Sequence, residues 1–289
     1  MYRLALSLLF ALPGLSQDTS STAQFPQKLQ TAEGGFKNTA GDVHGQASLM
    51  ATAASLRGLS LCGVEARDKS ACTRFVHSCV DPDSGGFCDR PGNKAGVIST
   101  ATGLMALGEL HRAGAMSLET SRASADGAVR FLERNTRTLE ELRMALAGLE
   151  AIDARPANAS AWLAEVLKRQ QPDGSFGSVR DTASAVVIIL RLKREVRKTQ
   201  AIKGILADGQ SADGGYSRGD GQPSNLETTY VAARALHMLR CEPKSRPRCR
   251  DFVGRCRNGD GGYGMTPGQP SQAAATYFAL SILHWLERP

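Results

Sequence analysis

A short glycine turn followed by an aromatic residue recurs along the chain and constrains its fold more than any other feature. It reads Glu33-Gly34-Gly35-Phe36, Ser84-Gly85-Gly86-Phe87, Asp173-Gly174-Ser175-Phe176, Asp213-Gly214-Gly215-Tyr216 and Asp260-Gly261-Gly262-Tyr263. Successive aromatics are 51, 89, 40 and 47 residues apart. The interval of 89 holds two periods, with a glycine-free unit expected around Asn135 to Leu139, so six units are expected. Glycine supplies backbone angles that other residues resist. The Asp, Glu or Ser before it can accept from nearby amides. Gln stands six residues before the aromatic at Gln30, Gln170 and Gln210, as a polar anchor at a helix end.

Each turn has similar flanks. Ahead of it lies a segment with one polar face, such as Ala71 to Val80 or Ala161 to Gln170, expected as an outer helix. Behind it lies a segment apolar on most faces, expected as a buried inner helix: Ile98 to Leu110, Thr182 to Leu192, Thr228 to Leu239 and Ala273 to Leu286. No segment sustains a period of two, so no sheet is expected. The reading is all-α, with about twelve helices in six αα-hairpins.

At this point the residues resemble a known family. Gln170 to Phe176 and Gln210 to Tyr216 are similar to the Gln-to-Trp repeat of squalene and terpenoid cyclases, and Gly85 to Gly92 to the repeat of protein prenyltransferase β subunits. The resemblance runs from about Gln30 to Leu286 and implies an α/α toroid, with inner helices parallel around a funnel. In the prenyltransferases it implies a zinc held by an Asp and a Cys two residues apart and a His in the last repeat. Here Glu227 stands for the Asp, Thr229 for the Cys, and Ala275 or Thr276 for the His. A neutral Thr hydroxyl is a poor zinc ligand, so no zinc and no other cofactor is expected. The acidic Asp-x-Asp-Asp motif of the cyclases is absent too. Of the sixteen aromatic residues, Tyr230, Tyr277, Phe278 and Trp285 remain for the inner helices, few for a polyene cyclase.

Candidate ligand contacts on the inner helices are Ser99, Thr100, Thr229, Tyr230, Thr276 and Tyr277. Asp181 and Glu227 stand at inner-helix starts, where a carboxylate caps the helix or faces the cavity. His44, beside Asp42, is a candidate acid or base at the funnel mouth or a solvated loop residue. Cys72 and Cys79 recur as Cys249 and Cys256, offset by 177. Cys62–Cys72 and Cys241–Cys249 are therefore candidate disulfides, with buried free thiols the alternative. The basic runs Arg191 to Lys198 and Arg240 to Arg257 read as solvated faces, with an acidic partner or anionic headgroup the alternative.

Residues 1–16 carry Arg3, an apolar stretch from Leu4 to Leu12 and a small-residue end, the pattern of an export signal. Residues 17–24 read as a polar spacer, and 25–289 as one toroid domain. The expected location is periplasmic or extracellular, or a secretory lumen in a eukaryote, where Asn158-Ala159-Ser160 would be a glycosylation acceptor. No apolar run reaches the length of a membrane span, so an integral membrane protein is not expected. The charge of +7 does not call for nucleic acid. Three functions stay open: a funnel that binds an apolar molecule or peptide, a divergent enzyme of the same superfamily, and a toroid that serves as an interaction surface for a protein partner.

Overall fold

The computed structural model describes residues 16–41, 45–219 and 221–287, apart from the side chains of 16–20 and 118–124. Twelve helices are found among them, in the order outer, inner, six times over. The outer helices are α1 (Ser16–Lys28), α3 (Lys69–Ser78), α5 (Leu118–Asn135), α7 (Ala159–Leu167), α9 (Thr199–Asp208) and α11 (Arg246–Arg255). The inner ones are α2 (Leu49–Leu61), α4 (Val97–Arg112), α6 (Leu139–Ala151), α8 (Val179–Arg191), α10 (Leu226–Met238) and α12 (Ala273–Glu287). Each inner helix packs on the next, and α12 returns to α2, so the inner set is a closed ring. The chain is the α/α toroid that its repeats imply.

Burial follows the two helix patterns. On α2, Leu49, Ala51, Thr52, Ala53, Ala54, Ser55 and Leu56 are all buried, as an element enclosed on every side requires. On α3 only Ala71, Cys72, Phe75 and Val76 are buried, a single stripe. The outer helices therefore show water one face, while the inner helices are buried along most of their length.

Two side chains repeat with the turns and hold the hairpins. A threonine at the fourth position of each glycine-turn inner helix accepts from the aromatic's backbone N–H. The pairs are Phe36–Thr52 and Phe87–Thr100 at 2.9 Å, and Phe176–Thr182, Tyr216–Thr229 and Tyr263–Thr276 at 3.0 Å. The recurring glutamine joins one unit to the next. Gln210 Nε2 donates to Gly214 O (2.8 Å) and Ser245 O (3.0 Å), and its Oε1 accepts from Ser245 N (2.6 Å). Ser245 is the N-cap of α11, so the amide spans the seam between hairpins. Gln30 does the same with Gly34 and Asp68, the N-cap of α3. The glycine-free unit runs from Asn135 to Leu139, where Thr138 and Glu141 form a reciprocal capping box instead.

Several expectations need correction. Residues 17–24, read as a polar spacer, lie in α1, and Thr22 and Ala23 are buried. Their helix closes the ring: Gly261 of the last turn lies against the backbone of Ser21, and Arg257 Nη2 donates to Ser21 Oγ at 2.8 Å. All seven cysteines are free thiols, so neither Cys62–Cys72 nor Cys241–Cys249 is bonded. Cys72 and Cys249 point into the apolar core, where burial pushes each thiol up to about 12, while Cys62 and Cys241 stay partly exposed at the ends of their helices. No helix among the described residues is long and apolar enough to cross a membrane.

At Gly261, φ is +86° and a Cβ would stand 2.3 Å from Ser21 O. We expect Gly261→Ala to cost about 2–4 kcal/mol through backbone strain and the clash together. Gly254→Ala, in a helix with open space around it, should cost nothing or stabilise slightly. Thermal unfolding followed by circular dichroism compares the two.

Candidate functional site

The ring fixes what faces the central funnel. Aligned at their first residues, the inner helices place Met50, Ile98, Glu140, Arg180, Glu227 and Ala274 at position two. These residues form the mouth. One turn further in stand Ala53, Thr102, Met144, Tyr230 and Tyr277, and a second turn in stand Arg57, Met105 and Ala147. The inward stripe on each helix follows the three-and-four spacing of an α-helix face. Together these residues enclose a cavity of about 290 Å³. The walls are mostly apolar, with methionines from α2, α4 and α6 facing aromatic rings from α10 and α12.

Half of the mouth is charged, and each of its arginines is engaged by a glutamate. Arg180 Nη2 lies 2.8 Å from Glu227 Oε1 and 3.2 Å from Glu140 Oε2. Arg218 also grips Glu227, and Arg143 grips Glu140. Burial by itself would raise the Glu227 carboxyl, but the bonds from Arg180 and Arg218 outweigh it and hold the group below the usual carboxylate range.

Deeper in, arginines face carboxylates that are fewer or more distant. Arg57 lies over the Tyr277 ring, 4.3 Å from its centroid, and its charge also acts on the Tyr230 phenol. Its Nη1 meets the Met105 sulfur at 3.4 Å, a weak acceptor. Glu109 stands 3.9 Å from Arg57 and is held more closely by Arg112 at 2.8 Å. Arg191 is almost fully enclosed, with Nε on Glu150 (3.0 Å) and Nη1 on the Arg143 carbonyl (3.2 Å). Behind them, Arg234 lies over Trp285 at 5.2 Å, and its Nε is buried without a hydrogen-bond partner among the described residues.

Tyr230 is the focus of this region. Its hydroxyl is 3.0 Å from that of Tyr277, and its ring packs on Tyr277, Phe278 and Trp285 at 5.6, 4.8 and 5.3 Å between centroids. Burial opposes ionisation of Tyr230, but Arg57 and Arg234, then the hydrogen bond from Tyr277 and the charge of Arg191, bring its phenol down to about 8. Tyr277 moves up, because it is buried and its proton is shared with Tyr230.

The sequence-derived candidates divide cleanly. Tyr230, Tyr277 and Glu227 line the cavity. Thr100, Thr229 and Thr276 face the turns through the bonds described above, and Ser99 Oγ donates to Phe87 O at 2.6 Å. Asp181 receives a bond from Ser178 Oγ (2.8 Å) at the start of α8. His44 lies outside the described residues. Sequence reading passed over Arg57, Glu140, Arg143 and Arg180, and it assigned Arg191 to a solvated run that the structure buries at this residue. Counting from the turn threonine would have found Arg180, two back, and Arg57, five on, whereas α6 has no turn threonine from which to count to Glu140 and Arg143.

The zinc that the fold family implies does not fit these residues. Thr229 Oγ1 accepts from Tyr216 N and donates to Asn225 O. Thr276 is engaged in the same way, Ala275 has no donor atom, and both carboxylate oxygens of Glu227 are held by arginines.

Comparison with known proteins agrees with the architecture. The sequence matches the prenyltransferase alpha-alpha toroid domain over residues 3–69, 60–127 and 131–289, and the chain belongs to that family. Among solved structures it is similar to Candida albicans protein geranylgeranyltransferase-I complexed with GGPP, at 14% identity and a TM-score of 0.66, covering 95% of this chain and 87% of that one. A glycosidase in complex with glucose has 14% identity and a TM-score of 0.67, covering 96% and 99%. A type II terpene cyclase from Scytonema, in complex with geranylgeranyl dihydroxybenzoate, has 10% identity and a TM-score of 0.63, covering 94% and 96%. A search of curated proteins found no match.

The Tyr230 shift is directly measurable. Tyrosinate absorbance should show one phenol titrating near 8, absent in Tyr230→Phe and moved upward in Arg57→Met. Because the folded value lies below the unfolded one of 10.0, ionisation should stabilise the fold above pH 10 and lose that contribution as pH falls through 8. Urea unfolding of the wild type and Tyr230→Phe across that window checks the sign.

Proposed function

We propose that the protein is an exported toroid whose funnel binds an apolar, isoprenoid- or lipid-like molecule. The observation that carries this reading is the cavity at the centre of the ring, walled by Met50, Ile98, Met105, Met144, Tyr277 and Phe278. Methionine and aromatic walls adapt to an apolar chain, and about 290 Å³ lies at the small end of the range for ligand pockets. The isoprenoid compounds in the two similar structures named above support the same ligand class. Export rests on the pattern of residues 1–16. Cleavage after Ser16 would leave Ser21, Thr22 and Phe25 available to close the ring.

A second reading is an enzyme that works with the mouth carboxylates. In its favour, Glu140 and Glu227 both contact one arginine nitrogen, at 3.2 and 2.8 Å, so their bonded oxygens are at most about 6 Å apart, the separation scale of acid–base carboxylate pairs. Against it, Arg180 and Arg218 keep Glu227 ionised, which suits a base and leaves the pair without an acid.

Native mass spectrometry of the mature chain, purified without detergent, tests the first reading. We expect a stoichiometric extra mass of a small lipid, lost when Met144→Arg fills the cavity. A chain at its bare mass that also takes up no added isoprenoid would overturn it and leave the toroid as a protein-interaction surface.

A further inference from the structure

The funnel is apolar around its middle, yet its deeper wall carries more positive than negative charge. Arg57 comes from α2, Arg191 from α8 and Arg234 from α10. The carboxylates facing this group are Glu109 of α4 and Glu150 of α6, and Glu109 is already held by Arg112. Tyr277 of α12 completes the wall. A guanidinium taken out of water is costly unless an anion and hydrogen-bond acceptors meet it. Here Arg57 has a thioether, a phenol and a carboxylate at 3.9 Å. The mouth differs: Arg143, Arg180 and Arg218 are all engaged by Glu140 and Glu227. An incoming anion therefore finds no open cation at the rim, and finds one two helical turns below it. The seven residues from Met50 to Arg57 correspond to roughly 10 Å along the axis.

We propose that Arg57 and Arg191, with the Tyr230 hydroxyl, form an anion site deep in the funnel, which receives the carboxylate or phosphate of an amphipathic ligand that enters charge first. Arg234 supports the site from behind through its charge, without lining the cavity. The short apolar body of the ligand then lies against Met50, Met144 and Phe278, nearer the mouth. The lowered Tyr230 phenol follows from the same excess of positive charge, and an added anion should reverse it. This inference rests on the apolar-ligand reading above but can fail without it.

The test uses the mature full chain and four probes: geranic acid, geranyl monophosphate, geraniol and inorganic phosphate. Binding is measured by calorimetry, and the tyrosinate titration is repeated with each probe. We expect the two anionic chains to bind at least about tenfold more tightly than geraniol. They should also move the Tyr230 midpoint upward, and Arg57→Gln should remove the preference while Arg57→Lys retains part of it. If Arg57→Gln does not fold, Arg57→Lys and Tyr230→Phe carry the comparison, each expected to narrow the gap between acid and alcohol. Tighter binding of geranyl monophosphate than geranic acid would assign the site to phosphate, and the reverse to carboxylate. Equal binding of acids and geraniol, with no movement of Tyr230, would overturn the anion site and leave the apolar-ligand reading standing. Inorganic phosphate that moves Tyr230 while no chain binds would support the anion site and overturn the apolar-ligand reading.

Discussion

The hydrogen bond from each turn aromatic to the fourth residue of its inner helix is the contact on which the rest of the toroid depends. It joins a backbone N–H that the turn leaves unpaired to a threonine hydroxyl buried inside the ring. Both groups would be costly to bury alone. The bond sets where the inner helix begins relative to the turn, and so sets its rotation about its own axis. With Thr52, Thr100, Thr182, Thr229 and Thr276 turned toward the turns, the residues two places earlier face the funnel. Structural threonines and ligand-facing side chains are therefore two consequences of one register.

The seams between hairpins use a different device. Gln30 and Gln210 each satisfy their own turn and the cap of the following outer helix. Close backbone approach does the rest, and at Gly34, Gly214 and Gly261 a Cβ would stand 2.0–2.3 Å from the neighbouring helix. The last of these contacts falls on α1, so α1 completes the ring that the sixth hairpin leaves open. A segment rich in Ser and Thr can do this because its backbone lies against Gly261, while Ser21 accepts from Arg257 and Phe25 packs beside Gly262.

The funnel combines two electrostatic regimes in one short cavity. At the mouth, arginines and glutamates alternate across three neighbouring helices and are held in close ion pairs. Below them the arginines outnumber the carboxylates, and the shortfall is met in part by a phenol that is easier to ionise than in water. Low polarity strengthens both effects, because fewer water dipoles screen the charges. The aromatic cluster of Tyr230, Tyr277, Phe278 and Trp285 sits between the two regimes and carries the contact of Arg57 with the ring of Tyr277.

The sequence by itself determined the number of hairpins, which helices are inner, the place of the glycine-free unit and which aromatics belong to the inner helices. Those are local matters: turn chemistry, the width of an apolar stripe, and the spacing of repeats. It could not separate Thr229, which holds a turn, from Tyr230, which lines the cavity, because adjacent helical residues differ by a rotation that only the turn bond defines. Nor could it show that Arg57, Arg191 and Tyr230 meet, or that Arg191 leaves its basic run for the interior. These residues stand on helices far apart in the chain, and only closure of the ring brings their side chains to one wall. The cysteines show the same limit, since a repeated spacing marked Cys72 and Cys249 as equivalent, while packing decided that both face the core as free thiols.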